Sequence, residues 1–162
     1  MKGFKIGDKA VYPGQGVGEV KGIEHKEIAG QRLSFYVLQI LENNMKIMIP
    51  INKVGSVGLR DVINKEEVAE VYTILKAKET AVDSTTWNRR HREYGEKLKT
   101  GSVFEIAAVL RDLYLLKHDK DLSFGERKML DTARGLLVRE LAIAKGVTEV
   151  DIDNDLKRIF NV

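Results

Sequence analysis

The 162-residue chain is predicted to have an α+β fold, in which a small Tudor-like or SH3-like β-barrel precedes an all-α bundle of about five helices. Short apolar runs separated by turn residues occupy residues 9–58, which is typical of short strands. After Arg60 the apolar period lengthens from two residues to about 3.6, and helix-start signals recur. These observations divide the chain into a β-rich domain, residues 1–64, and a helical domain, residues 65–162.

Turn residues separate the candidate strands of the β-rich domain. The strands are predicted at residues 10–12, 16–24, 33–41 and 45–49, with a hairpin turn at residues 28–31. A domain of about 60 residues buries only about 60% of its chain surface, so this one is expected to be marginally stable alone.

The last predicted strand carries a candidate contact surface. Its alternation directs Met45, Ile47 and Ile49 toward the core. The side chains directed outward are those of Lys46, Met48 and Pro50. Because proline cannot donate to a ladder, the strand is expected to end at Pro50 or to lie at a sheet edge, where a methionine offers a soft apolar contact. The alternative is that helices of the same chain cover this sheet.

Helix starts are predicted where a polar N-cap residue is followed three positions later by an acidic residue. These pairs are Asn64 with Glu67, Ser102 with Glu105, Ser123 with Glu126, and the weaker variant Thr148 with Asp151. An apolar stripe with helical spacing follows each pair, so each is expected to begin a helix that packs on a common core.

The only tryptophan, Trp87, begins a basic stretch on a fifth predicted helix, which is expected to start near Ser84 or Thr85. The residues that share its helix face are His91, Tyr94 and Leu98. This stripe favours Trp87 as an anchor of the helical core. The position of Trp87 in the first turn, where the helix dipole attracts phosphates, favours instead an aromatic tip directed at nucleic acid.

The basic character of the chain is local. The net charge is only +3, yet residues 87–99 contain five Lys or Arg and two Glu. A patch of this size releases few counterions, so autonomous DNA binding is expected to be weak and sensitive to salt. A DNA ligand would therefore require a second anchor for the protein.

No catalytic, metal or cofactor site is indicated by the sequence. The stretch Gly14–Glu19 lacks the third glycine and the following helix of a dinucleotide fingerprint, so its glycines are expected in a tight β-turn. The histidines are far apart, and the acidic run at residues 151–155 lacks the glycine and the final Glu of a calcium loop. There is no cysteine and no apolar run long enough to span a membrane. We therefore expect a cytoplasmic protein that is not an enzyme and needs no cofactor.

Five segments in collinear order carry a resemblance to a known family. They are GDKAVYPGQGV (residues 7–17), IP (49–50), VGLR (57–60), WNRR (87–90) and LSFGERKML (122–130). Together they span nearly the whole chain, and they closely resemble the CarD/CdnL family of bacterial transcription regulators.

The resemblance implies a Tudor-like first domain that binds the β subunit of RNA polymerase, similar to a domain of the transcription-repair coupling factor. It also implies that the helical domain touches promoter DNA at the upstream edge of the melted bubble, with Trp87 as a minor-groove wedge, and stabilises the open complex largely without reading sequence. The DNA-binding residues expected on this basis are Trp87, Arg89, Arg90, Arg92, Arg127 and Lys128. The polymerase-binding residues expected are Lys26, Val37, Lys46, Met48 and Pro50.

Met48 departs from the family pattern, because some members have arginine there, and an apolar contact is expected to replace a charged one.

Two other functions fit a small barrel joined to basic helices: an RNA-binding or ribosome-associated module, and a pure protein adaptor. The chain is expected to be a monomer, since nothing in the sequence resembles a long heptad seam. The family resemblance implies that it associates with the nucleoid through RNA polymerase.

Overall fold

The computed structural model describes residues 3–77 and 87–162, without the side chains of residues 87–90 and Asp119. The chain forms two compact units, residues 1–62 and residues 63–162. The first unit is built on a β-sheet and the second on helices, so the predicted α+β class is confirmed.

The sheet unit contains one five-stranded antiparallel sheet, and its strand order is β4-β3-β2-β1-β5. The strands are β1 (Lys9–Tyr12), β2 (Gly16–Ile28), β3 (Gln31–Ile40), β4 (Lys46–Pro50) and β5 (Arg60–Asp61). A 3-10 turn (Ile51–Lys53) and the short helix α1 (Val54–Val57) connect β4 to β5. The four predicted strands are confirmed, whereas α1 and the two-residue β5 are too short to have produced a periodic signal.

The core of the sheet unit lies on one face of the sheet. Alternate residues of β3, Tyr36, Leu38 and Ile40, are buried there, and Ile49 pairs with Tyr36 from β4. The N-terminal segment closes over them, because the Phe4 N–H donates to the Tyr36 hydroxyl oxygen over 3.1 Å. Their rings make an edge contact with centroids 6.0 Å apart. The sheet is therefore covered on this face by its own chain.

Gly16 at the start of β2 serves the turn, as predicted, and Gly18 serves the packing of β2 on β3, which the sequence did not indicate. Gly16 has a φ of 95°, which residues with a Cβ atom rarely adopt. A Cβ atom on Gly18 would lie 2.8 Å from the Cγ atom of Leu38, so this position admits only glycine without a shift of β3. The next residues form a strand and not the helix that a nucleotide-binding loop requires.

The described part of the helical unit contains five helices, and its four predicted N-caps are confirmed. The helices are α2 (Lys65–Lys76), α3 (Trp87–Lys99), α4 (Val103–Asp119), α5 (Phe124–Lys145) and α6 (Glu149–Phe160). In each of four, the N-cap side chain accepts a hydrogen bond from the backbone N–H three residues later; these N-caps are Asn64, Ser102, Ser123 and Thr148. The weaker pair, Thr148 with Asp151, forms a complete reciprocal capping box.

A single apolar core joins the helices. Leu110 and Leu113 of α4 and Leu137 and Leu141 of α5 are fully buried at its centre. The buried Glu140 of α5 accepts a hydrogen bond of 3.1 Å from the backbone N–H of Ile63, which fastens the start of the unit to α5. Burying a carboxylate is costly unless it is hydrogen-bonded, and this contact meets that condition.

Helix α3 agrees only partly with its predicted stripe. Tyr94 and Leu98 are buried in the helical core, as predicted, but His91 is exposed. Among the described side chains of α3, residues 91–99, the buried ones lie in the C-terminal half, and the helix packs on α4. The predicted N-cap residues Ser84 and Thr85 lie outside the described residues, and so does the side chain of Trp87.

The β2–β3 hairpin turn offers a test of backbone strain. Ala29 has a φ of 53° and Gly30 a φ of 78°, so a residue with a Cβ atom occupies the left-handed region that asparagine and glycine tolerate better. We expect Ala29→Asn to raise the free energy of unfolding of the sheet unit by about 0.5–1 kcal/mol. Urea denaturation and amide hydrogen exchange in the hairpin measure it.

The matched control is Ala77→Asn, because Ala77 is also exposed but has a φ of −71°. The control should not stabilise the chain. An equal gain in both variants would contradict the role assigned to the turn conformation.

Candidate protein and nucleic-acid interfaces

The outward side of β3 and β4 forms the first candidate interface. Met48 pairs with Val37 across the two strands, Lys46 pairs with Gln39, and Pro50 pairs with Phe35. Residues that pair across strands share a face of the sheet, so Val37, Lys46, Met48 and Pro50 lie on the same side. This side is opposite to the one on which Tyr36, Leu38 and Ile49 are buried.

The alternation predicted for β4 holds within the strand but fails just before it. Ile49 is 1% exposed and Met48 is 37% exposed, as expected for the two faces. Met45, however, is 39% exposed, although it was predicted to face the core. It precedes β4 in a turn where its N–H donates to the side-chain oxygen of Asn43 over 3.0 Å, so strand alternation does not apply to it.

Lys26 of β2 reaches the same side of the sheet. It pairs with Leu33 of β3, and its Nζ atom lies 3.7 Å from the Sδ atom of Met48. The five predicted polymerase-binding residues are thus brought together on one surface. We call this surface the outer face and define it by Lys26, Val37, Lys46, Met48 and Pro50.

A β-bulge places Lys26 on the outer face. Val20 pairs with Leu38 and Gly22 pairs with Val37, so β2 advances two residues where β3 advances one. Val20 and Lys26 are six positions apart and would share a face in a regular strand. The irregularity between Val20 and Gly22 reverses the alternation, so Val20 is buried while Lys26 is exposed.

The outer face continues along the hairpin through residues that were not predicted. Ile28, Leu33 and Phe35 lie on the same side by register, and Ile28 is 50% exposed. Only the cross-strand register shows that these apolar side chains extend a surface that already contains Val37 and Met48.

β4 ends at Pro50 and is also an edge strand, so both positions that Pro50 allowed are occupied. It stands at one end of the strand order, and within the described residues it pairs with β3 alone. An edge strand of this kind is where a strand from another molecule can add to a sheet.

The second candidate interface is at one end of the helical unit. Trp87, Arg89 and Arg90 occupy the first turn of α3, and their side chains lie outside the described residues. Arg92 is exposed on the next turn. Residues 100–102 and 120–123 form the short connections from α3 to α4 and from α4 to α5, which pack on each other, and connections this short join antiparallel neighbours.

If α4 is antiparallel to both neighbours, the first turns of α3 and α5 lie at the same end of the unit. In support of an α3–α4 hairpin, the Tyr94 hydroxyl lies 3.3 Å from a carboxylate oxygen of Asp112 on α4 and donates to it. Arg127 and Lys128 are exposed on α5, four and five positions after its N-cap. The predicted DNA-binding residues thus lie on the first two turns of α3 and α5, and we call this end of the helical unit the basic end.

An exposed phenylalanine joins this end of the unit. Phe124, the first residue of α5, is 77% exposed. Spacings of three and four along the helix place it on the same side as Arg127 and Lys128. Sequence reasoning missed it because an apolar residue after an N-cap usually packs inward; its position beside two cations was the available signal.

Glu126 holds the start of α5 in place. It is 1% exposed, and its Oε1 atom accepts a hydrogen bond of 2.9 Å from the Ser123 N–H and lies 3.4 Å from the Lys120 ammonium. Burial disfavours the charged form, but the hydrogen bonds from Ser123 and the Lys120 ammonium outweigh burial and hold the pKa of Glu126 below its usual value. The carboxylate is therefore ionised at neutral pH and orders the turn that carries Phe124.

Comparison with known proteins agrees with this architecture. The family model described as CarD-like/TRCF RID domain matches residues 4–63, and the model described as CarD, C-terminal domain, matches residues 70–157. The chain is 37% identical over 149 residues to the YdeB protein of Bacillus subtilis (strain 168). The aligned region covers 92% of this chain and 97% of YdeB.

Two solved structures from Myxococcus xanthus are also similar. CdnLNt is 77% identical and matches 40% of this chain and 92% of its own, with a TM-score of 0.35. The 72-residue N-terminal domain of CarD is 41% identical and matches 36% of this chain and 77% of its own, with a TM-score of 0.32.

The chain therefore belongs to the CarD family. The RID match falls on the unit that carries the outer face, and the CarD C-terminal match falls on the helices that carry the basic end. Within the described residues, none of the helices has the length and hydropathy to cross a membrane.

The buried carboxylate of Glu126 generates a pH-dependent prediction. Because its pKa is lower in the folded chain, its contribution to stability is complete above the unfolded value of 4.5 and is lost as the pH falls through the folded value. We expect Glu126→Gln to lower the free energy of unfolding by about 1–2 kcal/mol at neutral pH. This difference should shrink as the pH falls below 4.5, which urea denaturation at several pH values measures.

Glu67→Gln is the matched control, because Glu67 occupies the same capping-box position on α2 but is only partly buried. It should cost less than Glu126→Gln. A loss at Glu126 that stayed constant down to acid pH would show that shape, and not charge, explains it.

Proposed function

We propose that this protein is a non-enzymatic, cytoplasmic transcription factor that binds the β subunit of RNA polymerase through its sheet unit. Its helical unit contacts promoter DNA at the upstream edge of the bubble and stabilises the open complex. Family membership supports the general role, and the relative YdeB bears a name that describes it as a proposed transcription factor. The RID match on residues 4–63 supports an interaction with RNA polymerase.

The observation that carries the proposal is the assembly of the outer face beside a free sheet edge. Side chains from β2, β3 and β4 meet there, although Lys26 and Met48 are 22 positions apart. An extended segment of the polymerase can pair with β4 while its side chains pack on Val37, Met48 and Pro50. The ammonium of Lys26 next to the Met48 sulfur supplies a positive charge where some family members have arginine.

The basic end supports the second half of the proposal. A short row of cations binds DNA weakly alone, but a tether to the polymerase would raise the local DNA concentration to roughly the millimolar range. An aromatic wedge costs least where base pairs are already unstacking, so Trp87 would favour the melted promoter over the closed one. The exposed Phe124 adds a second aromatic side chain at this end.

The required energetic effect is small. A difference of about 1.4 kcal/mol in binding to the open and closed states shifts their ratio tenfold. Backbone contacts and a wedge at a distorted step can provide this difference without reading base edges. The protein would then act at many promoters, with a response set by the stability of each open complex.

The outer face is tested by replacing its methionine. Met48→Glu places a carboxylate in the apolar part of the surface, and we expect it to weaken capture of the polymerase β subunit by the full chain at least tenfold. Met45→Glu is the matched control, since Met45 is equally exposed but lies outside the outer face. Equal capture by both variants would remove the first half of the proposal.

The wedge is tested by shortening Trp87. We expect Trp87→Ala to keep the helical circular dichroism and the polymerase binding of the full chain while it shortens the half-life of the open complex severalfold. Trp87→Phe keeps an aromatic ring and should retain part of the effect. Loss of the helical fold in Trp87→Ala would instead show that Trp87 anchors the core.

Competition binding separates the proposal from an RNA-binding module. The proposal predicts that forked DNA is preferred to RNA and that the polymerase strengthens binding. Preference for RNA with no effect of the polymerase would favour the alternative.

A further inference from the structure

A separate group of polar side chains lies where α2, α5 and α6 meet. The hydroxyl of Tyr72 on α2 donates to the Oδ2 atom of Asp155 on α6 over 2.7 Å. Lys145, the last residue of α5, lies 3.2 Å from the Tyr72 hydroxyl oxygen and 3.4 Å from the same Oδ2 atom. Arg158 pairs with the other carboxylate oxygen of Asp155. We call these four residues the Tyr72 cluster.

The protonation states of this cluster follow from its contacts. The hydrogen bond from Tyr72, with help from Arg158 and Lys145, lowers the pKa of Asp155 despite the opposing effect of burial. Burial and the contact with Asp155 raise the pKa of Tyr72 well above its usual value. At neutral pH one carboxylate therefore faces two cations and a neutral phenol.

A cleft of about 470 Å³ opens beside the cluster. Its lining includes Tyr72, Asp155 and Arg158, together with Lys76 of α2 and Ile159 of α6. The Nζ atoms of Lys145 and Lys76 lie 4.7 Å and 6.0 Å from the centre of the Tyr72 ring. This volume is in the usual range for small-molecule sites, about 300–1,000 Å³.

The positive charge around the cleft exceeds the negative charge. Both oxygens of Asp155 are already engaged, by Tyr72 and Lys145 on one side and by Arg158 on the other. Among residues 3–77 and 87–162, no acidic side chain pairs with Lys76. Lys145 and Arg158 thus contact the carboxylate, Lys76 lines the cleft beside it, and within the described residues most N–H donors of Lys76 and Arg158 are left for another acceptor.

We propose that this cleft binds a phosphate-bearing small molecule. Its phosphate oxygens would lie between Lys76 and Arg158, since a guanidinium and an ammonium bind phosphate oxygens well. Its organic part would rest against Ile159 and the ring of Tyr72. An acidic protein segment fits less well, because the cations converge on one compact cleft and do not follow a groove.

The proposal does not depend on polymerase or DNA binding and is tested on the full chain alone. The ¹H–¹⁵N NMR spectrum is titrated with pyrophosphate and, separately, with ATP, without divalent metal and at constant ionic strength. We expect saturable shifts of the amide signals of Tyr72, Lys145 and Asp155. Tighter binding of ATP than of pyrophosphate would identify a nucleotide site, and equal binding a site for the phosphates alone.

Variants identify the residues that hold the ligand. Lys76→Ala and Arg158→Ala should each weaken the affinity about tenfold, as expected for loss of one charge-assisted contact to phosphate. Both side chains are exposed, so thermal denaturation of the unliganded variants should match the parent chain. Lys65→Ala removes an exposed lysine from the other end of α2 and should leave the affinity unchanged.

Three results would overturn the proposal. They are the absence of saturable shifts with both probes, unchanged affinity in Lys76→Ala and Arg158→Ala, and shifts confined to the first turns of α3 and α5. Binding of a glutamate-rich peptide without a response to either phosphate probe would also overturn it, and would show that the cleft receives an acidic protein segment.

Discussion

The register between β2 and β3 determines which side chains the sheet unit presents to a partner. Side chains alternate along a strand, so one extra residue in β2 exchanges its faces from that point on. The bulge between Val20 and Gly22 makes this exchange, and it allows Val20 to fill the core while Lys26 reaches Met48 on the outer face. Gly18 keeps the two strands close before the bulge, because a Cβ atom there would collide with Leu38.

The helical unit relies on a different set of constraints. Side chains at the N-caps satisfy backbone N–H groups that the helices leave unpaired, and they do so at Asn64, Ser102, Ser123 and Thr148. The two most buried carboxylates, Glu126 and Glu140, also accept hydrogen bonds from backbone N–H groups, so they satisfy main-chain donors that would otherwise be unpaired. This order at the start of α5 holds Phe124, Arg127 and Lys128 at the basic end.

The proposed contacts differ in their physical character. The outer face offers an apolar area beside two lysines and an edge strand, which suits a protein contact. The described side chains of the basic end are the cations Arg92, Arg127 and Lys128 and the exposed ring of Phe124, which would suit DNA that is already distorted. The cleft beside the Tyr72 cluster offers several donors to a compact anion.

Local sequence determined most of the secondary structure of this protein. N-cap pairs, strand alternation and turn residues involve neighbours in the chain, so four helix starts, four strands and the edge position of β4 could be predicted from them. Local patterns also sufficed to place Met48 outward and Tyr94 inward. The motifs of a whole family, spread from Gly7 to Leu130, indicated the relationship that the family models confirm.

Tertiary structure decided the features that depend on residues far apart in the chain. The bulge that moves Lys26 to the outer face follows from pairing with β3, and the exposure of Met45 follows from a turn that ends the alternation. Phe124 is exposed because of how α5 packs, and Tyr72 meets Asp155 from 83 positions away. No local pattern predicts these contacts, because helix packing and strand register decide which distant residues come together.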